Sequence, residues 1–242
     1  MTITSTDNKK IKDLMKLKQK KYRDESGKFL IETENLIKEA YIEDALEEIY
    51  LLEGESLSFD VATPVTYVTE AVMNKLKDIN TSKVVGVCTK KDSNEYIGKR
   101  YLMLDKISDP GNLGTIVRSA VAFNIDTLII SNDSCDIYND KALRATEGSI
   151  FKLNIVREDL NTALNNLEKL GISIYGTDVT DGNPIATVDK SCFCVIVGNE
   201  GSGISNIVKE RVKNNIHIDT DGVESLNVAV ATSIILYELN KK

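Results

Sequence analysis

From residue 101 onward, short apolar runs alternate with longer segments whose apolar residues recur every three or four positions. The runs at 101–105, 127–131, 153–156, 172–177, 193–198 and 216–218 have the length of buried strands. The segments near 113–123, 139–147, 158–170, 204–211 and 225–239 have helical spacing. Strands that are apolar throughout, rather than on alternate residues, belong to a mostly parallel sheet covered by helices on both faces. The first hundred residues carry a second α/β pattern. Ile11, Leu14, Met15 and Leu17 lie among lysines at helical spacing over 8–21. Strands are predicted at 29–31, 49–52, 67–68 and 84–89, and further helices at 35–46 and 70–76. Residues 90–99 are polar, with Gly98 near their end, and read as a linker. The pattern predicts two α/β domains, 1–95 and 96–242, each able to bury its own core.

Composition adds what the chain is not. At 42% hydrophobic and 28% charged with three prolines, it is neither disordered nor fibrous. No stretch approaches the roughly 18 uninterrupted apolar residues of a membrane helix. The polar, then basic, N-terminus has no apolar core of a secretory signal, so a cytoplasmic location is expected. Cys88, Cys135, Cys192 and Cys194 are expected to be reduced and inert. With His217 as the single histidine, no metal site is expected.

The net charge of −7 argues against nucleic-acid binding until its distribution is examined. Residues 1–30 hold nine basic groups (Lys9, Lys10, Lys12, Lys16, Lys18, Lys20, Lys21, Arg23, Lys28) against four acidic ones. Residues 31–60 hold ten acidic groups against Lys38. Such asymmetry fits one face that tracks phosphates and another that repels them, although a solvated basic helix without a partner fits charge alone equally well.

In open α/β sheets ligands gather beyond the carboxyl ends of the strands, and three loops there are unusual. In Asp109-Pro110-Gly111-Asn112-Leu113-Gly114-Thr115-Ile116-Val117-Arg118 a tight turn opens a helix, and Asn112 and Arg118 reach back toward the same loop. Alone, Asn112 reads as a cap and Arg118 as solvated. In Gly198-Asn199-Glu200-Gly201-Ser202-Gly203, directly after an apolar strand, the glycines let backbone approach a ligand. A dinucleotide fingerprint, and hence an oxidoreductase, fails there because the third glycine position is Asn206 and the motif comes too late in the chain. The third loop, Glu224-Ser225-Leu226-Asn227-Val228-Ala229-Val230-Ala231, opens the C-terminal helix. Ser225 alone reads as its N-cap, while Asn227 is a polar amide that must find partners at the base of an apolar helix.

Together the three loops resemble the motifs of the SpoU (TrmH) branch of the SPOUT RNA methyltransferases, in order and at fitting separations. The opening segment, from Ile3 through Lys12, Leu17 and Arg23 to Glu32, resembles the RNA substrate-binding domain that precedes many of these enzymes. The resemblance implies an α/β fold knotted as a trefoil, a homodimer with shared active sites, and S-adenosyl-L-methionine as cofactor. Thr177, Gly198, Asn199, Gly201, Ile218, Thr220 and Leu226 would hold the cofactor. The implied activity is 2′-O-methylation of a ribose in structured RNA, ribosomal RNA (23S) more than transfer RNA, with no membrane or DNA partner. Asn112, Arg118, Glu200, Ser225 and Asn227 would form the catalytic site, with Glu200, Ser225 and Asn227 holding Arg118. The chain departs from the family where Asp219-Thr220 replaces a Pro-Met pair, which sets an acidic side chain near the adenosyl pocket.

A guanidinium with pKa above about 12 is a poor base. Arg118 is therefore expected to orient the 2′-hydroxyl and stabilise alkoxide charge, with the proton acceptor left open. The basic first helix would grip phosphates, and Tyr22 or Phe29 would be the stacking candidates, though an aromatic beside an apolar strand is more often core. The rival is a non-catalytic RNA-binding or ribosome-assembly factor that retains the fold.

Overall fold

The computed structural model describes residues 2–178 and 182–241, and the chain divides into two compact units. Unit 1 comprises Met1–Lys91 together with Tyr138–Lys152, and unit 2 comprises Asp92–Ile137 and Leu153–Lys242. Unit 2 is therefore interrupted in sequence, an arrangement that a single boundary near residue 95 does not contain.

Unit 1 begins with β1 (Thr2–Ile3), α1 (Lys9–Lys16), α2 (Lys20–Ser26), β2 (Lys28–Glu32) and α3 (Glu34–Ile42). It continues with β3 (Leu46–Leu52), β4 (Val65–Val68), α4 (Glu70–Leu76) and β5 (Val84–Thr89). Among the described residues its strands form a mixed sheet in the order β1-β4-β3-β5-β2. Ile11, Leu14 and Leu17 pack with Val72, Met73 and Leu76 of α4 over Tyr50, Val68, Val85 and Val87 of the sheet.

The single helix expected over 8–21 is two. Gln19 is extended at the break, and the Arg23 guanidinium donates from Nη1 to the Leu17 carbonyl at 2.8 Å, satisfying a carbonyl that the end of α1 leaves open. Arg23 is 6% exposed and is thereby removed from the phosphate-facing set. Phe29, 1% exposed, lies with its ring centroid 4.7 Å from that of Tyr138 and 6.2 Å from that of Phe151, so it is core and not a stacking platform.

Unit 2 opens with β6 (Asp92–Ser93), inside the expected linker, and then β7 (Arg100–Leu104), α5 (Pro110–Ala122) and β8 (Thr127–Ser131). After α6 (Asp140–Thr146), which belongs to unit 1, come β9 (Asn154–Glu158), α7 (Leu160–Lys169), β10 (Ser173–Thr177), β11 (Asn183–Pro184), β12 (Phe193–Val197), α8 (Asn206–Arg211), β13 (Asn214–His217) and α9 (Val228–Asn240). Every pairing described in this sheet is parallel, in the order β11-β13-β10-β12-β7-β8-β9-β6. This is the mostly parallel sheet that the apolar runs predict. Strand order runs outward in both directions from β7 and β12, so the loops that leave their carboxyl ends flank the point where the order reverses.

Candidate cofactor cleft and active site

Two of the three motif loops leave that reversal point, and local chemistry sets their shape. Asp109 caps α5, its Oδ1 accepting from the Asn112 amide at 2.9 Å, and Pro110 occupies the first turn, where no amide donor is needed. The cap is therefore Asp109, and the Asn112 side chain is left for other work. After β12 the chain doubles back: Asn199 N donates to Gly203 O at 3.0 Å and Gly203 N to Asn199 O at 2.9 Å. A Cβ on Gly198 would lie 2.2 Å from the Gly203 carbonyl carbon, so this turn closes only over glycine. Gly203 itself has φ +67°, a conformation that also favours glycine. At the third loop Asn227, not Ser225, caps α9. Its Oδ1 accepts from Ala229 N at 2.9 Å and Val230 N at 3.3 Å, which answers the question of where a polar amide at the base of this helix finds partners.

The loop after β12, the loop before α9 and the ends of β10 and β13 enclose a cleft of about 370 Å³, within the ~300–1,000 Å³ of small-molecule sites. Thr177, Gly198, Asn199, Gly201, Ile218, Thr220 and Leu226 all line it, as do Glu200 and Ser225. Sequence reading missed His217, Lys209 and Glu224, which line it too. It also missed Asp105, a fully buried carboxylate directly after β7 whose Oδ2 accepts from Ser205 N at 2.6 Å and ties the end of β7 to the start of α8. An acidic residue closing an apolar strand was the available signal. The backbone-lined glycine turn and apolar walls at Ile204, Ile216, Ile218 and Leu226 suit a flat heterocycle, and the Glu200 and Glu224 carboxylates suit a cationic group.

Asn227 Nδ2 donates to Asn112 Oδ1 at 3.1 Å, and Asn112 Nδ2 donates to Glu200 Oε1 at 2.9 Å. Three loops are thus joined by a directional chain of hydrogen bonds that ends on a carboxylate. Arg118 stands apart from it. Exposed on α5, it is not among the cleft-lining residues and has no hydrogen bond or ion pair among the described residues. The expectation that Glu200, Ser225 and Asn227 hold Arg118 is not met within one chain, because Glu200 and Asn227 are engaged with Asn112. Asp219 does not enter the cleft: its side chain is 97% exposed and lies 2.9 Å from His217 Nε2. The departure from Pro-Met therefore places charge outside the adenosyl-sized space, while Thr220 lines it.

A glycine-turn cleft at the reversal point of a parallel sheet, with an amide relay that ends on one of its lining carboxylates, defines an α/β enzyme that binds a nucleotide-like cofactor. Residues 99–237 match the model of the SpoU rRNA Methylase family, and residues 8–85 match the MRM3-like substrate binding domain. The chain is 33% identical, over 98% of each chain, to the 23S rRNA (guanosine(2553)-2′-O)-methyltransferase RlmP of Bacillus subtilis. It is 29% identical to an uncharacterized tRNA/rRNA methyltransferase of Synechocystis, covering 100% of this chain and 94% of the other. The AdoMet-bound rRNA methyltransferase of Sinorhizobium meliloti superposes with a TM-score of 0.87 at 27% identity, over 99% of this chain and 97% of that one. The chain belongs to the SpoU rRNA methylase family. It is an RNA ribose 2′-O-methyltransferase, and its cofactor is S-adenosylmethionine.

Proposed function

We propose that this enzyme methylates a ribose 2′-hydroxyl of 23S ribosomal RNA in the cytoplasm, acting as a homodimer with composite active sites on a trefoil-knotted domain. Full-length similarity to a 23S rRNA enzyme and the match of residues 8–85 to a substrate-binding domain favour ribosomal over transfer RNA. The observation that carries the catalytic reading is the relay from Asn227 through Asn112 to Glu200 in the wall of the cleft. A non-catalytic assembly factor would have no use for it.

When bound, S-adenosylmethionine supplies an electrophilic methyl group, which leaves positioning to the protein. Gly198, Gly201, Ile218 and Leu226 would grip it with backbone and apolar contacts, with Thr177, Asn199 and Thr220 shaping the walls. Asn112, Glu200, Ser225 and Asn227 would border the target ribose. Arg118 comes from the partner subunit in this reading and orients the 2′-hydroxyl while stabilising developing alkoxide charge. Support comes from its exposure and from the apolar surface of α9 beside α5: Val230 is 49% and Tyr237 52% exposed, and Phe123 packs edge-on against Tyr237 at 6.0 Å. Threading of the C-terminal segment is supported by β13, the last strand in sequence, lying beyond β10 rather than at an edge next to its predecessor β12.

RNA contact on unit 1 falls to the basic groups left over by ion pairing, Lys9 and Lys20 foremost, both exposed and with no hydrogen bond or ion pair among the described residues. Tyr22, partly buried beneath the Lys21 ammonium, remains the stacking candidate.

The test is mass-spectrometric mapping of 2′-O-methyl nucleotides in 23S RNA and tRNA after incubation with purified enzyme and S-adenosylmethionine. Methylation confined to tRNA would overturn the substrate. Arg118→Ala is expected to abolish turnover while leaving cofactor affinity intact. Mixing Arg118→Ala with Glu200→Gln chains is expected to restore part of the activity, and no restoration would overturn the composite site.

A further inference from the structure

We infer that Asn199 is a positioning residue whose side chain locks the loop after β12 to the loop after β7, holding Glu200 against Asn112, and that it makes no hydrogen bond to the cofactor. The inference rests on the cleft being the cofactor site. It comes from counting what one amide side chain can do: two N–H donors and two acceptor lone pairs. Asn199 Nδ2 donates to the Lys106 carbonyl at 2.9 Å and to Ser108 Oγ at 2.9 Å. Its Oδ1 accepts from Gly201 N at 2.9 Å and Ser202 N at 3.2 Å. All four capacities are filled by protein, and any contact to a bound molecule would break one of these bonds in exchange. Asn199 lines the cleft as a wall rather than as a hand.

What it fastens to is itself fixed. Lys106 N donates to Ser131 Oγ at 2.9 Å and Ile107 N to Ser134 Oγ at 3.0 Å, and both serines are buried at the end of β8. Lys106 stands at φ +58°, a left-handed conformation that a lysine adopts only under such restraint. A continuous path therefore runs from β8 through 106–108 to Asn199, and through the peptide bond to Glu200. Glu200 Oε1 then meets Asn112, while Oε2 has only a long 3.4 Å approach from Asn199 Nδ2. If the lock opened, Glu200 would be free to leave the relay while the glycine turn, held by its own backbone bonds, stayed closed over the cofactor.

Asn199→Asp separates the two functions, because it keeps acceptors for Gly201 and Ser202 but offers no donor to the Lys106 carbonyl, against which it sets a carboxylate instead. Turnover at saturating RNA and cofactor is expected to fall at least about tenfold, while the Kd for S-adenosylhomocysteine, measured by calorimetry, changes less than about threefold. Ser108→Ala removes one of the two anchors. It should lower kcat by a smaller factor and should lower it no further in an Asn199→Ala background, where the bond it removes is already gone. A Kd that weakens in step with kcat, fully additive effects, or a wild-type kcat in Asn199→Asp would each overturn the inference. Were Asn199→Asp not to fold, Ser108→Ala carries the test alone, with kcat reduced at unchanged Kd as the expected result. Absence of S-adenosylhomocysteine binding to the unaltered enzyme would instead sink the cofactor reading beneath it.

Discussion

On unit 1 most basic groups of the N-terminal segment are answered where they stand. Lys10 meets Glu48 at 3.0 Å, Lys12 meets Asp7 at 2.8 Å, Lys16 meets Asp13 at 2.7 Å and Lys18 meets Asp78 at 2.8 Å, with Lys28 on Glu47. In the cleft of unit 2 the polar side chains are handed on instead, each amide donating to the next until a carboxylate receives the last bond. Exposed ion pairs are worth little individually, about 0–1 kcal/mol, and exchange readily with another anion. A relay of neutral amides fixes geometry and has no such freedom to exchange. The acidic run at 31–60, which looked like a face that repels RNA, is in part the counterion layer of the basic segment. The two regions suit different tasks: one can release its charges to a polyanion, and the other must not move.

The hardest break falls on the backbone of the cleft. Gly198→Ala sets a methyl 2.2 Å from backbone atoms of Gly203 and Ile204, which cannot move aside as a flexible side-chain tip could. S-adenosylhomocysteine affinity is expected to fall roughly a hundredfold, about 3 kcal/mol, with the midpoint of thermal unfolding lowered as well. Titration calorimetry checks it, and affinity within threefold of wild type would mean that the turn does not shape the site.

Next comes the relay itself. Asn112→Ala leaves Glu200 Oε1 without its donor and Asn227 Nδ2 without its acceptor, although Asn112 itself does not line the cleft. We expect kcat to fall about ten- to a hundredfold with cofactor Kd nearly unchanged. Equal losses in both would place Asn112 at the cofactor. Asn112→Asp should be worse than alanine, because it sets a second carboxylate against Glu200.

Unit 1 should respond in the opposite direction. Glu47→Gln with Glu48→Gln releases Lys28 and Lys10 from their acids, so affinity for a 23S RNA fragment is expected to rise about threefold and to depend more steeply on salt. Stability should change by less than about 1 kcal/mol. Weaker RNA binding on filter assay would show that the pairs orient the lysines rather than mask them.

How much of this was legible depended on whether the signal was local. Strands such as Thr127–Ser131 and Val84–Thr89 coincide with their apolar runs, because burial on both faces leaves no alternative pattern. The three loops were legible as motifs, and the residues proposed to hold the cofactor line a single cleft. What escaped was settled by distant partners. Tyr138–Lys152 joins unit 1 through contacts such as Lys152–Glu39 at 2.6 Å, for which neighbouring residues give no sign. Taken alone, Ser225 reads as the cap of α9 and Asn112 as that of α5, whereas Asn227 and Asp109 take those places; all four residue types cap well, and composition does not rank them. The broken first helix needed Arg23 to fold back on Leu17. The pairing of Lys10 and Lys28 with Glu48 and Glu47 needed β3 to lie near α1 and β2, which no run of charges can announce.

One ion pair of unit 1 departs from the exchangeable rule, and it offers the finest test of the comparison. Lys90 is only 10% exposed, sits 4.8 Å above the Tyr138 ring and meets Asp24 at 2.6 Å. Fixed in this way it resembles the cleft more than the lysines of α1, and it binds the 138–152 segment to the body of unit 1. Its hydrogen bond holds the Asp24 carboxyl below the usual aspartate range. For a group whose pKa is lowered by folding, the contribution to stability is present above the unfolded-state pKa, about 3.9, and is lost as pH falls through the folded-state value. Asp24→Asn should therefore lower the unfolding midpoint at neutral pH. Because Asp24 is half exposed and screened, the cost is expected to be a few tenths of a kcal/mol, and the difference from wild type should shrink as pH drops toward 3. Melting curves of both proteins from pH 7 to 3 decide it: a difference that stays constant or grows in acid would mean that Asp24 acts through something other than its charge on Lys90.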